Sequence, residues 1–339
     1  MSSKIYVDGI LVDWGASLFN QTHPPRPRPE AKSTLTGVKP RRNTKKATSG
    51  GTISTTDSAA RIRKKLDAIA RRVPEVMVKI SGGGNGMNQI KAHFDYISRN
   101  GQIALENQDG QIVEGRGEID HLRDDWQTSG YRIKDETTTR EAFNIVLSMP
   151  EGTDPHQLHK AARDFAKSEF AGHEYVMALH TFETDPDPEP ARHPHVHLSV
   201  KARSDAGVRM NPRKGDLQRW REGFAQSLRD HGVEAVATSR QVRLQRQRGT
   251  KTSVAKMRDR GEPLDQIGRS APDLIRAKKA KFTQARIIEG YRHIATALAT
   301  SDDGADRRLA MDLADRIAEA SGRTVPTKDR KIDKDQPER

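Results

Sequence analysis

The chain has 339 residues, of which 33% are hydrophobic and 5% aromatic, with a formal net charge of +13 and no cysteine. That length fits about two domains, or one domain with long flanks, and the thin apolar content implies that part of it carries no packed core. Disulfides and thiolate metal sites are excluded. No run approaches a membrane span, and Met1-Ser2-Ser3-Lys4 lacks the shape of a signal peptide, so the expectation is a soluble, cytoplasmic protein with no membrane insertion.

The charge is unevenly placed. Residues 1–72 hold 15 Lys/Arg against 5 Asp/Glu, residues 73–235 hold 20 against 26, and residues 236–293 again hold 15 against 5. An acidic centre between two basic flanks points to a polyanion, most simply nucleic acid, gripped by phosphate contacts from about 21–72 and 240–293.

In chain order, residues 21–60 are rich in Pro, Arg, Lys, Ser, Thr and Gly without apolar periodicity and read as a disordered basic arm. Residues 58–72 read as a short basic helix with Ile62, Leu66 and Ile69 on one stripe. Val76-Met77-Val78-Lys79-Ile80 is a strand candidate. The run Ser81-Gly82-Gly83-Gly84-Asn85-Gly86 lacks the closing Gly-Lys-Ser/Thr of a phosphate loop, so it predicts a flexible strand-to-helix turn.

Met87 to Arg99 predicts a helix stopped by Asn100-Gly101, with Ile90, Phe94 and Ile97 buried. Tyr96 falls at the edge of that stripe with His93 one turn back, which leaves a packed ring and a free hydroxyl. Residues 102–140 are polar, with Trp126 as the main apolar anchor, and give no legible fold. A strand over 142–149 ends at Pro150, and Asp154-Pro155 starts a helix to about Phe170 that buries Leu158, Ala162, Phe165 and Ala166.

Two further strands carry histidines. Tyr175 to His180 is an apolar run closed by His180. His193-Pro194-His195-Val196-His197-Leu198-Ser199-Val200 alternates, with Pro194, Val196, Leu198 and Val200 on one side and His195, His197 and Ser199 on the other. Paired strands would bring His180, His195 and His197 together, and imidazoles at i and i+2 can share one metal ion. A helix over 213–231 follows, then a basic, Gln/Arg-rich stretch and helices near 272–298 and 305–320. The order predicts an α+β fold, an antiparallel sheet with packed helices. The domains expected are an arm over 1–72, a catalytic domain over 73–240 and a largely helical extension over 241–339.

These features together resemble the plasmid-mobilisation relaxases, especially the P-type branch that includes the T-DNA border endonuclease. The likeness runs over roughly residues 75–245. It rests on the glycine run, on Phe94-Asp95-Tyr96-Ile97-Ser98-Arg99-Asn100-Gly101, and on Ile145 to Asp154. It continues through His193-Pro194-His195-Val196-His197 and His231-Gly232-Val233 with Ala237-Thr238-Ser239-Arg240.

The resemblance implies an antiparallel sheet of about five strands, of the HUH-endonuclease type. It implies Tyr96 as the nucleophile and His180, His195 and His197 as ligands of a divalent metal, Mg2+ or Mn2+. It further implies nicking and rejoining of one DNA strand at a plasmid transfer origin through a 5′-phosphotyrosine. The partners it implies are accessory relaxosome proteins and a type IV secretion coupling protein, and it implies that the protein travels with the strand. Where relatives carry an acidic residue two positions after the first histidine this chain has Phe182, and Glu183 and Asp185 both stand as candidates for that role. A non-catalytic DNA-binding accessory protein, a rolling-circle initiator and a metal hydrolase are the alternatives.

Overall fold

The computed structural model describes residues 3–19, 55–239, 242–244, 257–258, 260–261 and 274–321. Two helices come first, α1 (Ser3–Phe19) and α2 (Thr55–Ala70). Then follow β1 (Met77–Gly84), α3 (Met87–Ile97), β2 (Leu105–Asn107), β3 (Ile112–Val113) and α4 (Gly115–Thr128). The segment continues with β4 (Ala142–Ser148), α5 (Pro155–Glu169), β5 (Tyr175–His180), β6 (His195–Lys201) and α6 (Lys214–Asp230). Last come α7 (Leu274–Ala299) and α8 (Gly304–Ala320).

The chain divides into two units, Arg72–Ala237 and Met1–Arg71 with Thr238–Arg339. The first holds all six strands in one antiparallel sheet, in the order β1-β4-β6-β5-β2-β3. This is the expected α+β architecture with one strand more than expected. The additional pairing comes from the polar stretch after α3, where strands of three and two residues are too short to show an alternating pattern.

Strand alternation sorts the sheet into two faces. One buries Ile145, Leu147, Val196, Leu198 and Val200 under α5 and α6, whose Leu158, Phe165, Trp220 and Phe224 fill the same cluster. The other is covered in part by α3 and α4, where Met87, Ile90, Phe94, Ile97 and Trp126 pack on Ala142, Val176 and Ala178. Burying a side chain such as Ile90 or Phe94 is worth about 1.5–3 kcal/mol, so α3 is pinned to the sheet through its apolar stripe. α5 begins as its sequence predicts, with Pro155 in the first turn and the Asp154 carboxylate accepting from the His156 amide at 2.8 Å.

The glycine run corrects the sequence reading. Gly82, Gly83 and Gly84 are strand residues, paired with Asn144, Phe143 and Ala142 after an irregularity between Ile80 and Gly82. A Cβ on Gly83 would come within 2.5 Å of the Ala142 carbonyl, and one on Gly84 within 2.5 Å of Ile90. Close packing, not flexibility, therefore demands glycine there. The turn is made by Asn85-Gly86, with Gly86 at φ 110° and ψ 170°, a conformation open essentially to glycine alone. A Cβ at Gly86 would lie 2.4 Å from the Asp135 carbonyl oxygen. Gly86→Ala is expected to lower unfolding stability by about 1–3 kcal/mol or more, read as a drop in urea midpoint. Gly110→Ala, at φ 80° with nothing near its Cβ, costs less; equal losses would show that the contact with Asp135 is unimportant.

The second unit is helical. Val7, Leu11 and Leu18 of α1, Leu66 and Ile69 of α2, Ile287, Tyr291, Ile294 and Leu298 of α7, and Leu313 and Ile317 of α8 form one core. Arg63 ties three of the helices together by pairing with Asp8 at 2.6 Å and Asp306 at 2.8 Å. The N-terminal stretch thus contributes two helices where the sequence suggested one, and residues 20–54, the bulk of the expected arm, lie outside the described residues.

Candidate active site

The sheet register builds the histidine cluster. His180 and His195 are direct partners across β5 and β6, and His197 follows two residues along β6 on the same face. Directly opposed side chains on neighbouring strands stand about 4.5–5.5 Å apart at Cβ, so the register brings the rings together. Their centroids are 5.2 Å apart for His180 and His195, 4.7 Å for His180 and His197, and 5.0 Å for His195 and His197. One ring nitrogen from each lies within 4.8 Å of the others.

Burial sets their charge. It pushes the His195 pKa down to about 4 and the His197 pKa down to about 2, the latter helped by the charges of His180 and His195. Both rings are neutral at physiological pH, which is the form that binds metal. Nδ1 of His195 donates to the His193 carbonyl at 3.1 Å, leaving the lone pair on Nε2. Nδ1 of His197 is buried without a hydrogen-bond partner, a cost that a bound cation would remove. His180 differs: its Nδ1 faces Asp185 Oδ2 at 2.9 Å and its Nε2 faces the Ile97 carbonyl at 2.7 Å. The donor set suits a divalent cation, provided that the contact with the Ile97 carbonyl is given up.

The loop after β5 places the two acidic candidates differently. Asp185 is buried against His180, whereas Glu183 is exposed and lines a separate cavity with Phe182 and Arg192. Asp185 also accepts two hydrogen bonds from Arg99, from Nε at 2.8 Å and from the terminal Nη2 at 2.9 Å. The Arg99 guanidinium, with a backbone hydrogen bond from Asp187 and the nearby His180, holds this carboxyl well below the usual carboxylate range. A carboxylate on the far nitrogen of a ligand histidine fixes the ring's orientation and raises its basicity.

α3 brings Tyr96 to the cluster. Burying Met87, Ile90, Phe94 and Ile97 turns Tyr96 to the rim, where it is 54% exposed. Its ring meets His197 edge-on at 5.6 Å and 88°, and the Arg99 guanidinium lies over it at 4.9 Å. The packed ring and accessible hydroxyl are those its sequence position predicts. The helix is braced on its outer side by the Asp95–Arg123 ion pair to α4. Beyond Ser98 the chain turns left-handed, at φ 51° for Arg99, 57° for Asn100 and 91° for Gly101. A left-handed arginine is uncommon and costs energy; here the turn folds its side chain back across Tyr96 onto Asp185.

His193 lies 5.5 Å from His195 and contributes only its carbonyl, so it stands outside the cluster. Lys201 is buried six residues along β6, about 20 Å from His195. It is engaged there with Glu174 at 2.8 Å and Ser129 at 2.9 Å. Two residues of the site drew no role from the sequence: Arg99, whose contact with Asp185 spans 86 residues, and His93, described below.

Fold and site together define a histidine-bearing antiparallel sheet with an exposed tyrosine beside its histidines. Residues 96–233 match the family model of the relaxase nuclease domain, MobA/VirD2-like. Over these residues, less than half of the chain, the sequence is similar to the relaxase nuclease domains, which supports a relaxase assignment and DNA nicking as the general activity. No curated protein matches the chain significantly.

Proposed function

We propose that the protein is a tyrosine strand transferase that starts conjugative DNA transfer. The observation that carries this reading is the exposed Tyr96 phenol set edge-on against a buried histidine of a convergent trio. The Tyr96 oxygen attacks the scissile phosphorus, a bond from that oxygen to phosphorus forms, and the bond from phosphorus to the 3′ oxygen breaks. The phenolic proton leaves to solvent and the 3′ oxygen takes one up, giving a 5′-phosphotyrosine and a free 3′ hydroxyl. Because one phosphoester replaces another, the same residues can run the step backwards and rejoin the strand.

His180, His195 and His197 would hold a divalent cation, Mn2+ or Mg2+, which would supply neutralisation of phosphate charge. Asp185 orients His180, and Arg99 places positive charge beside the phenol. The basic stretches of the chain add phosphate contacts that the acidic centre lacks. On this reading the substrate is one strand of supercoiled plasmid DNA at its transfer origin, and the partners are accessory relaxosome proteins and a secretion coupling protein. The work is done in the bacterial cytoplasm, from which the protein accompanies the strand. No helix among the described residues is long and apolar enough to cross a membrane.

The reading is tested by incubating the full chain with a labelled, randomised single-stranded oligonucleotide library, with Mn2+ or with EDTA. A metal-dependent, protease-sensitive covalent adduct supports it, and sequencing the captured strands gives the nick site. Binding without an adduct would favour a DNA-binding accessory role instead. Metal loading has its own readout. Mn2+ at about 100 times its Kd is expected to stabilise the fold by about 2.7 kcal/mol, a rise in Tm that is absent in His197→Ala. An equal rise in the variant would place the ion elsewhere.

A further inference from the structure

His93 precedes Tyr96 by three residues, on the same side of α3. Its ring lies 6.1 Å from Tyr96 at an interplanar angle of 20°, and 6.4 Å from His197, edge-on at 74°. It lies outside the group of three convergent ring nitrogens. Its Nε2 is buried with no hydrogen-bond partner. A buried nitrogen without a partner costs about 1–3 kcal/mol, which an aromatic hydrocarbon ring of similar shape would avoid. Two unpartnered ring nitrogens, His93 Nε2 and His197 Nδ1, thus sit beside the exposed tyrosine.

We infer that His93 is a substrate-contacting residue, its Nε2–H donating a hydrogen bond to a non-bridging oxygen of the scissile phosphodiester. The inference rests on the strand-transfer reading above. Phosphate oxygens only accept hydrogen bonds, and their negative charge is redistributed as the phenol attacks in line. A donor fixed in advance, in a place from which water is excluded, is worth more there than in solution. The ring supplies that donor from a position set by α3. No bond forms or breaks at His93, and it takes no proton from Tyr96.

The test uses the full chain, Mn2+ and the oligonucleotide selected above, with the scissile linkage also made as each of its two phosphorothioate diastereomers. His93→Phe is expected to slow single-turnover adduct formation about 100-fold while oligonucleotide Kd changes less than about threefold, and His93→Gln recovers part of the rate. The decisive readout is the diastereomer preference. Sulfur at the oxygen that His93 contacts slows the wild type and has a smaller effect in His93→Phe, because that variant has no bond to lose. A wild-type rate in His93→Phe, or a diastereomer ratio equal to that of the wild type, overturns the inference. If His93→Phe does not fold, the same ratio measured in His93→Gln decides, a reduced ratio supporting the assignment and an unchanged one overturning it. An adduct that persists in Tyr96→Phe would sink the strand-transfer reading and this inference with it. One that needs Tyr96 but ignores His93 sinks the inference alone.

Discussion

Replacing Tyr96 with phenylalanine is expected to leave DNA binding within about twofold of the wild type and to reduce the covalent adduct by about 10⁴-fold or more, the scale seen when an enzyme loses its nucleophile. The substitution removes one oxygen from a half-exposed ring and keeps the contacts of that ring with His197 and Arg99. Stability should therefore change by no more than about 0.5 kcal/mol, and a matching Tm separates lost chemistry from lost fold. The other tyrosines are poor substitutes. Tyr175 and Tyr291 are buried, and burial pushes the Tyr175 phenol up to about 12 and raises that of Tyr291 as well. Tyr131 lies against Arg203; Tyr6 is on α1; neither has a histidine partner among the described ring contacts. An adduct formed by Tyr96→Phe at the wild-type rate would sink the assignment and direct peptide mapping to Tyr131 first.

Much of this site was readable because its signals are local. The alternation from Pro194 to Val200 assigns each histidine to a face with no knowledge of the fold, since strand geometry repeats every two residues. The apolar stripe of α3 likewise fixes where Tyr96 must point. What the sequence lacked were contacts between distant segments. Asp185 and Glu183 lie in one acidic loop and differ only in where that loop folds, which the bidentate hydrogen bonds to Arg99 decide. α4 was hidden because only Ile119, Leu122 and Trp126 mark its inner face, while Arg123 is buried through its ion pairs with Asp95 and Asp120. α1 was hidden for the opposite reason. Ile5, Tyr6, Val7, Ile10, Leu11, Val12 and Trp14 run round most of its surface, so it shows no apolar stripe.

Asp185→Asn is the second substitution with a large expected effect, because one carboxylate there meets two demands. It fixes the His180 ring at 2.9 Å and compensates an Arg99 side chain that is only 16% exposed. Asparagine keeps the shape and loses the charge, so the Arg99 cation keeps only its longer pair with Asp187, at 3.3 Å. Mn2+ affinity is expected to fall about 10–100-fold, as when the carboxylate behind a ligand histidine is lost. Unfolding stability should fall by about 1–3 kcal/mol. Adduct formation at limiting Mn2+ should fall with the affinity and recover when Mn2+ is in excess, which marks Asp185 as a positioning residue rather than a reacting one. Glu183→Gln should change none of these. The pH dependence has a definite sign. The folded pKa of Asp185 is depressed, so its contribution to stability is complete above its ordinary value near 3.8 and is lost only as pH falls through the lower folded value. Acidification to pH 5 should therefore leave this contribution intact. If Glu183→Gln abolished Mn2+ binding while Asp185→Asn kept it, the acidic partner of the cluster would be Glu183, and the bond between Asp185 and Arg99 would serve the fold alone.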